Sequence, residues 1–334
     1  MMMKLETPYA IDLGNGYAKR KFNGVVVVEP SILAEDPGYF SSTDSKNLMS
    51  YADSANYYIG DDVRKYQLQA IPALGEDDLN RYNSIEFKKL MYGYIAKDIR
   101  NSVEIPLLVT GLPVNHLKAK QDEVKKMLTG KKIMVFEGKE LVIDIKDVHV
   151  IPQPMGTYMQ LVAEKIVNPE TDKTLLIDNG HGSLDITEVT GYTITKRAGG
   201  NLGSKLAHIE IYNFLVDKFG DLASITLPNI ADLLEKGLIV DGSIIDIREM
   251  PEIKAILSRH FDSMYSFVRN NNFSLTDYNK VVFTGGTAEL HRPHIVAKKK
   301  NNFKIKENAQ TANAEGYYEY GKAVLASEKN STVR

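Results

Sequence analysis

One five-residue pattern occurs twice in this chain, each time directly behind an apolar strand. Asp12-Leu-Gly14-Asn15-Gly16 follows Tyr9-Ala-Ile11, and Asp178-Asn-Gly180-His181-Gly182 follows Leu175-Leu-Ile177. With Asp near 5% and Gly near 7% of an average protein, Asp-x-Gly-x-Gly begins at a given position by chance about once in several thousand. Two copies in the same setting point to a strand-loop-strand unit built twice around one anion.

The spelling has a chemical reason. Glycine lets the backbone turn with positive φ and come close to phosphate oxygens, where successive N–H groups form an anion-binding concavity. A carboxylate at the strand end then holds Mg2+, usually through water, because magnesium keeps several waters and takes only one or two carboxylates alongside phosphate oxygens. Asp12 and Asp178 are the expected metal-holding carboxylates, and Gly14, Asn15, Gly16, Gly180, His181 and Gly182 the expected phosphate contacts. The bland alternative for each loop is a glycine hairpin turn with an Asp cap.

At 334 residues, 43% of them hydrophobic and 25% charged, the chain is long enough for two domains with separate cores. A net charge of −2, from 41 basic and 43 acidic residues, argues against a large electrostatic footprint for nucleic acid or anionic membrane. Direct nucleic-acid binding is not expected. Cysteine is absent, which excludes thiol catalysis and a disulfide framework. Met1 to Pro8 lacks an apolar signal core, and no stretch approaches the ~20 apolar residues of a membrane span, so a cytoplasmic location without a membrane partner is expected.

The first motif sits in a predicted hairpin of residues 8–13 and 17–22, and Asn23-Gly24 is a preferred two-residue turn into Val25-Val-Val-Val28. Residues 35–56, rich in Ser, Asp, Asn and Gly, read as an exposed insertion without periodicity. Ser84 caps a helix with Phe87, Leu90, Met91, Tyr94 and Ile95 on one face. A buried strand over 105–110, a helix over 115–128 and strands at 133–136, 140–145 and 147–151 follow. The second motif opens another meander, with strands at 174–177, 184–190 and 192–197. Helices over 202–219, 228–235 and 251–270, a strand over 281–284 and a helix over 312–327 complete the plan. A meander followed by helices and strands, twice over, predicts two α/β domains with mixed sheets and a ligand in the cleft between them.

These residues resemble the actin-like ATPase superfamily over nearly the whole chain. Asp12 to Gly16 resembles its first phosphate loop, and Asp178 to Thr187, including Asp185, its second. Gln153-Pro-Met-Gly156 resembles the first connecting segment, Thr284-Gly-Gly-Thr-Ala-Glu-Leu290 the adenosine loop, and Gly199-Gly-Asn-Leu-Gly203 the turn and helix beside the nucleoside. Tyr58-Ile-Gly60-Asp61 resembles a short segment common to actin and its bacterial relatives. Thr110-Gly-Leu-Pro-Val114 is similar to a strand-end segment of ParM-type plasmid-segregation actins.

The resemblance implies an actin-like fold: two ribonuclease-H-like domains with mixed five-stranded sheets flanked by helices. Domain I would be residues 1–155 plus 312–330, with an insertion over about 29–100, and domain II residues 156–311. It implies ATP or GTP with Mg2+, phosphoanhydride hydrolysis with Gln153 orienting the attacking water, and Asp12 and Asp178 holding the metal's waters. Gly200, Gly203, Gly285, Gly286 and Thr287 would line the nucleoside. Lys19, seven residues after Asp12, reaches back toward the phosphates or is a solvated lysine beside Arg20 and Lys21. His181 reads as a loop contact, and Asp185 occupies the slot equivalent to Lys19 in the repeat. The implied partners are further copies of the chain in filaments and a ParR-like, DNA-bound adaptor at a plasmid centromere. A small-molecule kinase of the same fold, a non-polymerising nucleotide sensor and a cell-shape protein are the alternatives.

The remaining features take bland readings. Lys298-Lys-Lys300 is a solvated loop, and Tyr317, Tyr318 and Tyr320 are packing residues at helical spacing. His149, His208, His260, His291 and His294 lack acidic or second-His partners at ligand spacing, so zinc is not expected.

Overall fold

A computed structural model describes residues 2–38, 46–52, 54–72, 79–220, 222 and 224–332. The chain divides into two compact units, Met1–Ile166 with Thr311–Arg334, and Val167–Gln310.

Both units are built on the same five-strand frame. In the first, β1 (Tyr9–Leu13), β2 (Tyr17–Phe22) and β3 (Val25–Pro30) form an antiparallel meander, and β4 (Val103–Leu112) and β5 (Lys139–Pro152) continue it in the order β3-β2-β1-β4-β5. In the second, β6 (Lys173–Asn179), β7 (Leu184–Thr190), β8 (Thr193–Gly200), β9 (Lys280–Thr284) and β10 (Phe303–Ile305) follow the order β8-β7-β6-β9-β10. In each frame the first two pairings are antiparallel and the last two parallel. The meander turn at Asn23-Gly24 has φ of 46° and 79°, the paired positive angles that a two-residue hairpin demands.

The five-strand expectation holds for the second unit and is corrected in the first, where the described residues form a sheet of eleven strands. The six additional strands are Met3–Lys4, Ile32–Glu35, Met49–Tyr51, Tyr57–Ile59, Ile71–Pro72 and Gly130–Phe136, and of these Met49–Tyr51 lies inside the segment 35–56 read as an exposed insertion without periodicity. Residues 39–45 and 53 lie outside the described residues, but Met49–Tyr51 pairs with Gly130–Phe136, and Tyr57–Ile59 pairs with Ile32–Glu35. Met49, Tyr57, Tyr58 and Ile59 are buried, so short strands here gain their stability from the core and not from local periodicity. The strands expected at 140–145 and 147–151 are one strand, β5, which pairs with Gly130–Phe136 at its start and with β4 at its end.

The helix α1 (Ile85–Ile99) starts where the Ser84 side chain accepts a hydrogen bond from the Phe87 N–H, and the predicted face Phe87, Leu90, Met91, Tyr94 and Ile95 is buried. Beyond it lie α2 (Val114–Leu128) and α3 (Gln153–Ala163). The second unit carries α4 (Lys205–Phe219) and α5 (Pro251–Asn270). The last helix, α6 (Ala312–Thr332), returns to the first unit, where Asn313 Oδ1 accepts from the Thr157 N–H and hydroxyl of α3 at 3.1 and 2.8 Å. Tyr317 and Tyr318 pack with Ala10, Leu107 and Val109 on the sheet, in keeping with a packing role.

Arg20, next to Lys19 on β2, is 0% exposed. Its Nη2 lies 2.6 Å from Glu29, its Nε 2.8 Å from Asp98, and its guanidinium 4.2 Å above the Tyr94 ring. Lys97 bridges Glu29 to Asp62 of the added subdomain, and the Tyr9 hydroxyl donates to Asp98 at 2.6 Å. Burial pushes the Asp98 carboxyl up against the pull of Arg20; at Glu29 the same burial is outweighed by Arg20 and Lys97, which hold it below the usual carboxylate range. Removing one member of such a cluster strands a charge in the core. Arg20→Leu is expected to cost about 3–5 kcal/mol in urea unfolding, and a loss below about 1 kcal/mol would show that the carboxylates are satisfied without it.

Candidate functional site

In the first unit the strand β1 is buried along its whole length and delivers Asp12 to its C-terminal end, where the carboxylate is 2% exposed. The register sets Lys19 directly across from Asp12 on β2, and its Nζ lies 3.3 Å from Asp12 Oδ2. The other oxygen, Oδ1, accepts from Gln153 Nε2 at 2.7 Å. Three predicted site residues, separated by as much as 141 positions, therefore meet on one carboxylate. Gln153 is not in a connecting loop: it is the first residue of α3, and Tyr317 of α6 donates to its carbonyl at 3.3 Å. The loop between the strands is closed by the Gly14 N–H donating to the Tyr17 carbonyl at 3.1 Å, and Gly14, Asn15 and Gly16 are half-buried. A carboxylate offers about four acceptor sites, so Lys19 and Gln153, each on one oxygen, leave Asp12 with further acceptor capacity.

The second unit repeats the frame with different charges. Asp178 ends β6, half-buried, opposite Asp185 on β7 and beside Thr284 on β9. Register thus places Asp185 in the slot that Lys19 fills in the first unit. Burial pushes the Asp185 carboxyl up, and Ser183 donates to it at 3.0 Å. The turn closes through the Gly180 N–H on the Ser183 carbonyl at 2.9 Å. That turn is seated on the start of α4: the Ser204 and Lys205 N–H groups donate to the Gly180 and His181 carbonyls at 3.0 and 2.9 Å. A Cβ at Gly203 would lie 2.3 Å from the His181 carbonyl oxygen, which explains the glycine. His181 itself is exposed, its ring 5.7 Å from that of His208.

The predicted nucleoside residues of this unit converge on the same strand end. Thr287 donates through its hydroxyl to the Asn179 carbonyl at 2.7 Å. Gly285 has φ +86°, and a Cβ there would stand 2.3 Å from Asp178 Oδ1. Gly200 lies against the Phe267 ring, while Gly286 is exposed with nothing near its missing Cβ. His260 of α5 joins these segments. Its Nε2–H donates to the Gly203 and Leu202 carbonyls at 3.1 and 3.2 Å, so its Nδ1 must accept, and His291 Nε2–H donates to it at 2.8 Å. These two histidines, 31 residues apart in sequence, are brought together only by the fold. His149 likewise meets Asp147 at 3.1 Å. Among the described residues, no group of three or more His, Asp or Glu side chains is arranged to hold a metal ion, and no helix is long and apolar enough to cross a membrane.

Residues 10–156 match the family of the actin-like proteins' N-terminal domain. Among solved structures the chain is similar to apo pSK41 ParM, with 21% identity, coverage of 98% of this chain and 99% of that one, and a TM-score of 0.70. The archaeal actin homologue Ta0583 in complex with ADP is 18% identical, with 97% and 99% covered and a TM-score of 0.75. The ParM of a 15-stranded filament from Clostridium botulinum is 19% identical, with 97% and 100% covered and a TM-score of 0.74. No curated protein sequence matches. The chain has the fold of these actin homologues, and its residues 10–156 match the actin-like N-terminal domain.

Sequence reasoning missed Arg81, whose Nη1 donates to Asn15 Oδ1 in the first loop at 2.6 Å. It also missed the His260–His291 pair. Neither carries a local signal, since each is defined by a partner far along the chain.

Two outcomes test the second unit. Gly285→Ala places a side chain at a left-handed φ and against Asp178, and should cost about 1–3 kcal/mol in denaturant unfolding; an unchanged midpoint would mean the loop relaxes freely. Burial, with the neighbouring His260 and His294, pushes His291 down to about 3, and burial with His181 and His260 pushes His208 down to about 4. Both stay neutral when folded yet protonate near 6.5 when unfolded, so the stability they contribute is full above pH 6.5 and drains away as pH falls toward 4 and 3. Thermal midpoints measured from pH 7 to 4 should fall, and His291→Phe should flatten the decline; an equal slope in that variant would contradict the assignment.

Proposed function

We propose that this protein is an actin-like, nucleotide-dependent, filament-forming ATPase, with its Asp-x-Gly-x-Gly loops serving to engage the phosphates of a Mg2+-bound purine triphosphate. The observation that carries the reading is Asp12 held between Gln153 and Lys19 at 2.7 and 3.3 Å. Those three groups have the chemistry that phosphoanhydride hydrolysis needs, and the repeated frame brings a second carboxylate, Asp178, to the matching strand end.

The protein has little covalent chemistry to perform in such a reaction; it positions a water in line with the terminal phosphorus and neutralises charge. Gln153, a neutral amide fixed at the first turn of α3, orients that water by hydrogen bonds and is too weakly basic to take its proton. Lys19 is close enough to Asp12 to exchange its carboxylate partner for a phosphate oxygen. Bound Mg2+ would supply neutralisation of the phosphate oxygens, its waters held by Asp12 and Asp178. The backbone N–H groups of Gly14, Asn15, Gly16, Gly180, His181 and Gly182 line the phosphates, and Gly200, Gly203, Gly285, Gly286 and Thr287 the nucleoside.

Self-association is supported by the likeness to a ParM filament structure. Plasmid segregation through a DNA-bound, ParR-like adaptor follows from the same likeness and accords with a net charge of −2, which gives no footprint for DNA itself. Triphosphate binding drives assembly and hydrolysis times disassembly, in the cytoplasm. Purified protein should sediment with Mg-ATP or Mg-GTP and remain soluble with ADP. Gln153→Ala and Asp178→Ala should each lower phosphate release about 100-fold while sedimentation persists. Phosphate release without any sedimentable polymer would move the reading to a kinase or sensor of the same fold.

A further inference from the structure

We propose that the second unit carries two complementary surfaces through which copies of this chain join head to tail: an apolar hairpin with an acidic rim, residues 238–245, and a basic loop around Val296 that receives it. The inference rests on the filament reading above and names a contact that such a filament requires.

Ile244, Ile239 and Val296, at 71%, 63% and 62%, are the three most exposed large apolar side chains among the described residues. Two of them form one spot. The strands Leu238–Val240 and Ser243–Ile245 make a two-stranded sheet with Ile239 directly across from Ile244, so both side chains stand on the same outer face. Leu238, one position earlier, is buried in the core with Ile211, Ile230 and Ile253. The turn Asp241-Gly242 has φ of 48° and 77°, the paired positive angles of a two-residue hairpin, which holds the apolar pair in register. Residues 232–249 carry five acidic side chains and two basic ones. Both basic ones lie on acidic neighbours inside the segment, Lys236 on Asp232 at 3.8 Å and Arg248 on Asp246 at 3.1 Å, so the rim of the hairpin is acidic.

The third exposed residue sits in the opposite electrostatic setting. Val296 lies near the end of the short helix Arg292–Ala297, and residues 292–304 carry five basic side chains and no acidic one. Val296, Ala297, Lys298, Lys299 and Lys300 are exposed in succession, and the Lys298 ammonium rests 4.7 Å from the centre of the Tyr265 ring. An apolar spot among cations is the complement of an apolar pair among carboxylates: apolar burial supplies the attraction, and opposite charge selects which faces meet. The two surfaces stand on different cores. Leu238 of the hairpin shares a core with Ile253, Ile256 and Leu257 from the first half of α5, whereas Ile295, beside Val296, shares one with Phe261, Met264 and Val268 from its second half. A contact between unlike surfaces of identical chains is heterologous, so it extends into a ring or an open filament instead of stopping at a two-fold pair. Lys298-Lys-Lys300 is then solvated in the single chain and covered in the assembly.

The test is sedimentation of the full chain with Mg-ATP or Mg-GTP over a concentration series, which reads the critical concentration for assembly. Ile239→Ser combined with Ile244→Ser should raise it about 10- to 100-fold, while the thermal midpoint of the unassembled protein holds, because both side chains already face water. Charge reversal supplies a second arm. A hairpin variant, Glu235→Lys with Asp241→Lys, and a loop variant, Lys299→Glu with Lys300→Glu, should each fail to sediment alone. Mixed in equal amounts they should sediment together, since each reversed surface then meets its opposite on the other chain. Assembly of the Ser variant or of either reversed variant at the unaltered critical concentration would overturn the proposal and leave the filament reading standing, as would a mixture that sediments no better than its components. An unaltered chain that sediments with neither nucleotide would overturn the filament reading, and the proposed contact with it.

Discussion

A guanidinium taken wholly out of water must be paired, and the first unit of this protein is organised around that requirement. Arg20 sits beneath the sheet with Glu29 on one side and Asp98 on the other, and Lys97 extends the cluster to Asp62. Those partners come from β3, from α1 and from the segment after Tyr57–Ile59, so one charge ties the meander to the helix and to the added strands. Alternation along β2 makes this consequential for the site. Lys19 and Arg20 point to opposite faces of the sheet, and burying Arg20 below fixes Lys19 above, across from Asp12. A slip of one residue would exchange the two and leave an unpaired charge in the core.

The two frames share topology and register but not electrostatics. Asp12 faces a lysine, whereas Asp178 faces Asp185, whose carboxyl burial pushes up. The same geometry therefore presents a carboxylate neutralised by its neighbour in one unit and a pair of carboxyl groups in the other. A duplicated fold keeps its backbone because strand order and hydrogen bonding admit few alternatives, while cross-strand side chains at the loop mouth are free to diverge.

Around the second loop the restraint is steric and polar. Gly285 must adopt a left-handed φ beside Asp178, and Gly203 must leave room for the His181 carbonyl. The neutral His260–His291 pair then links the segment ending at Gly203 to the end of the Thr284–Leu290 turn, with tautomers set by carbonyl acceptors.

The amino-acid sequence by itself determined the duplicated Asp-Gly loops, the capped helix after Ser84, the two meanders and the residues that gather at each strand end. These follow from local rules: strand alternation, turn chemistry at Asn23-Gly24, and a side-chain cap three residues from its donor. Tertiary structure alone decided that Met49–Tyr51 and Tyr57–Ile59 become strands, that residues 139–152 form one strand, that Gln153 opens a helix, and that Arg20 is buried while Lys19 is not. Arg81 on Asn15 and His260 on His291 belong to the same class. Each depends on a partner that only folding brings near, and the energy that selects it, burial of apolar surface and pairing of buried charge, has no expression in a local window of residues.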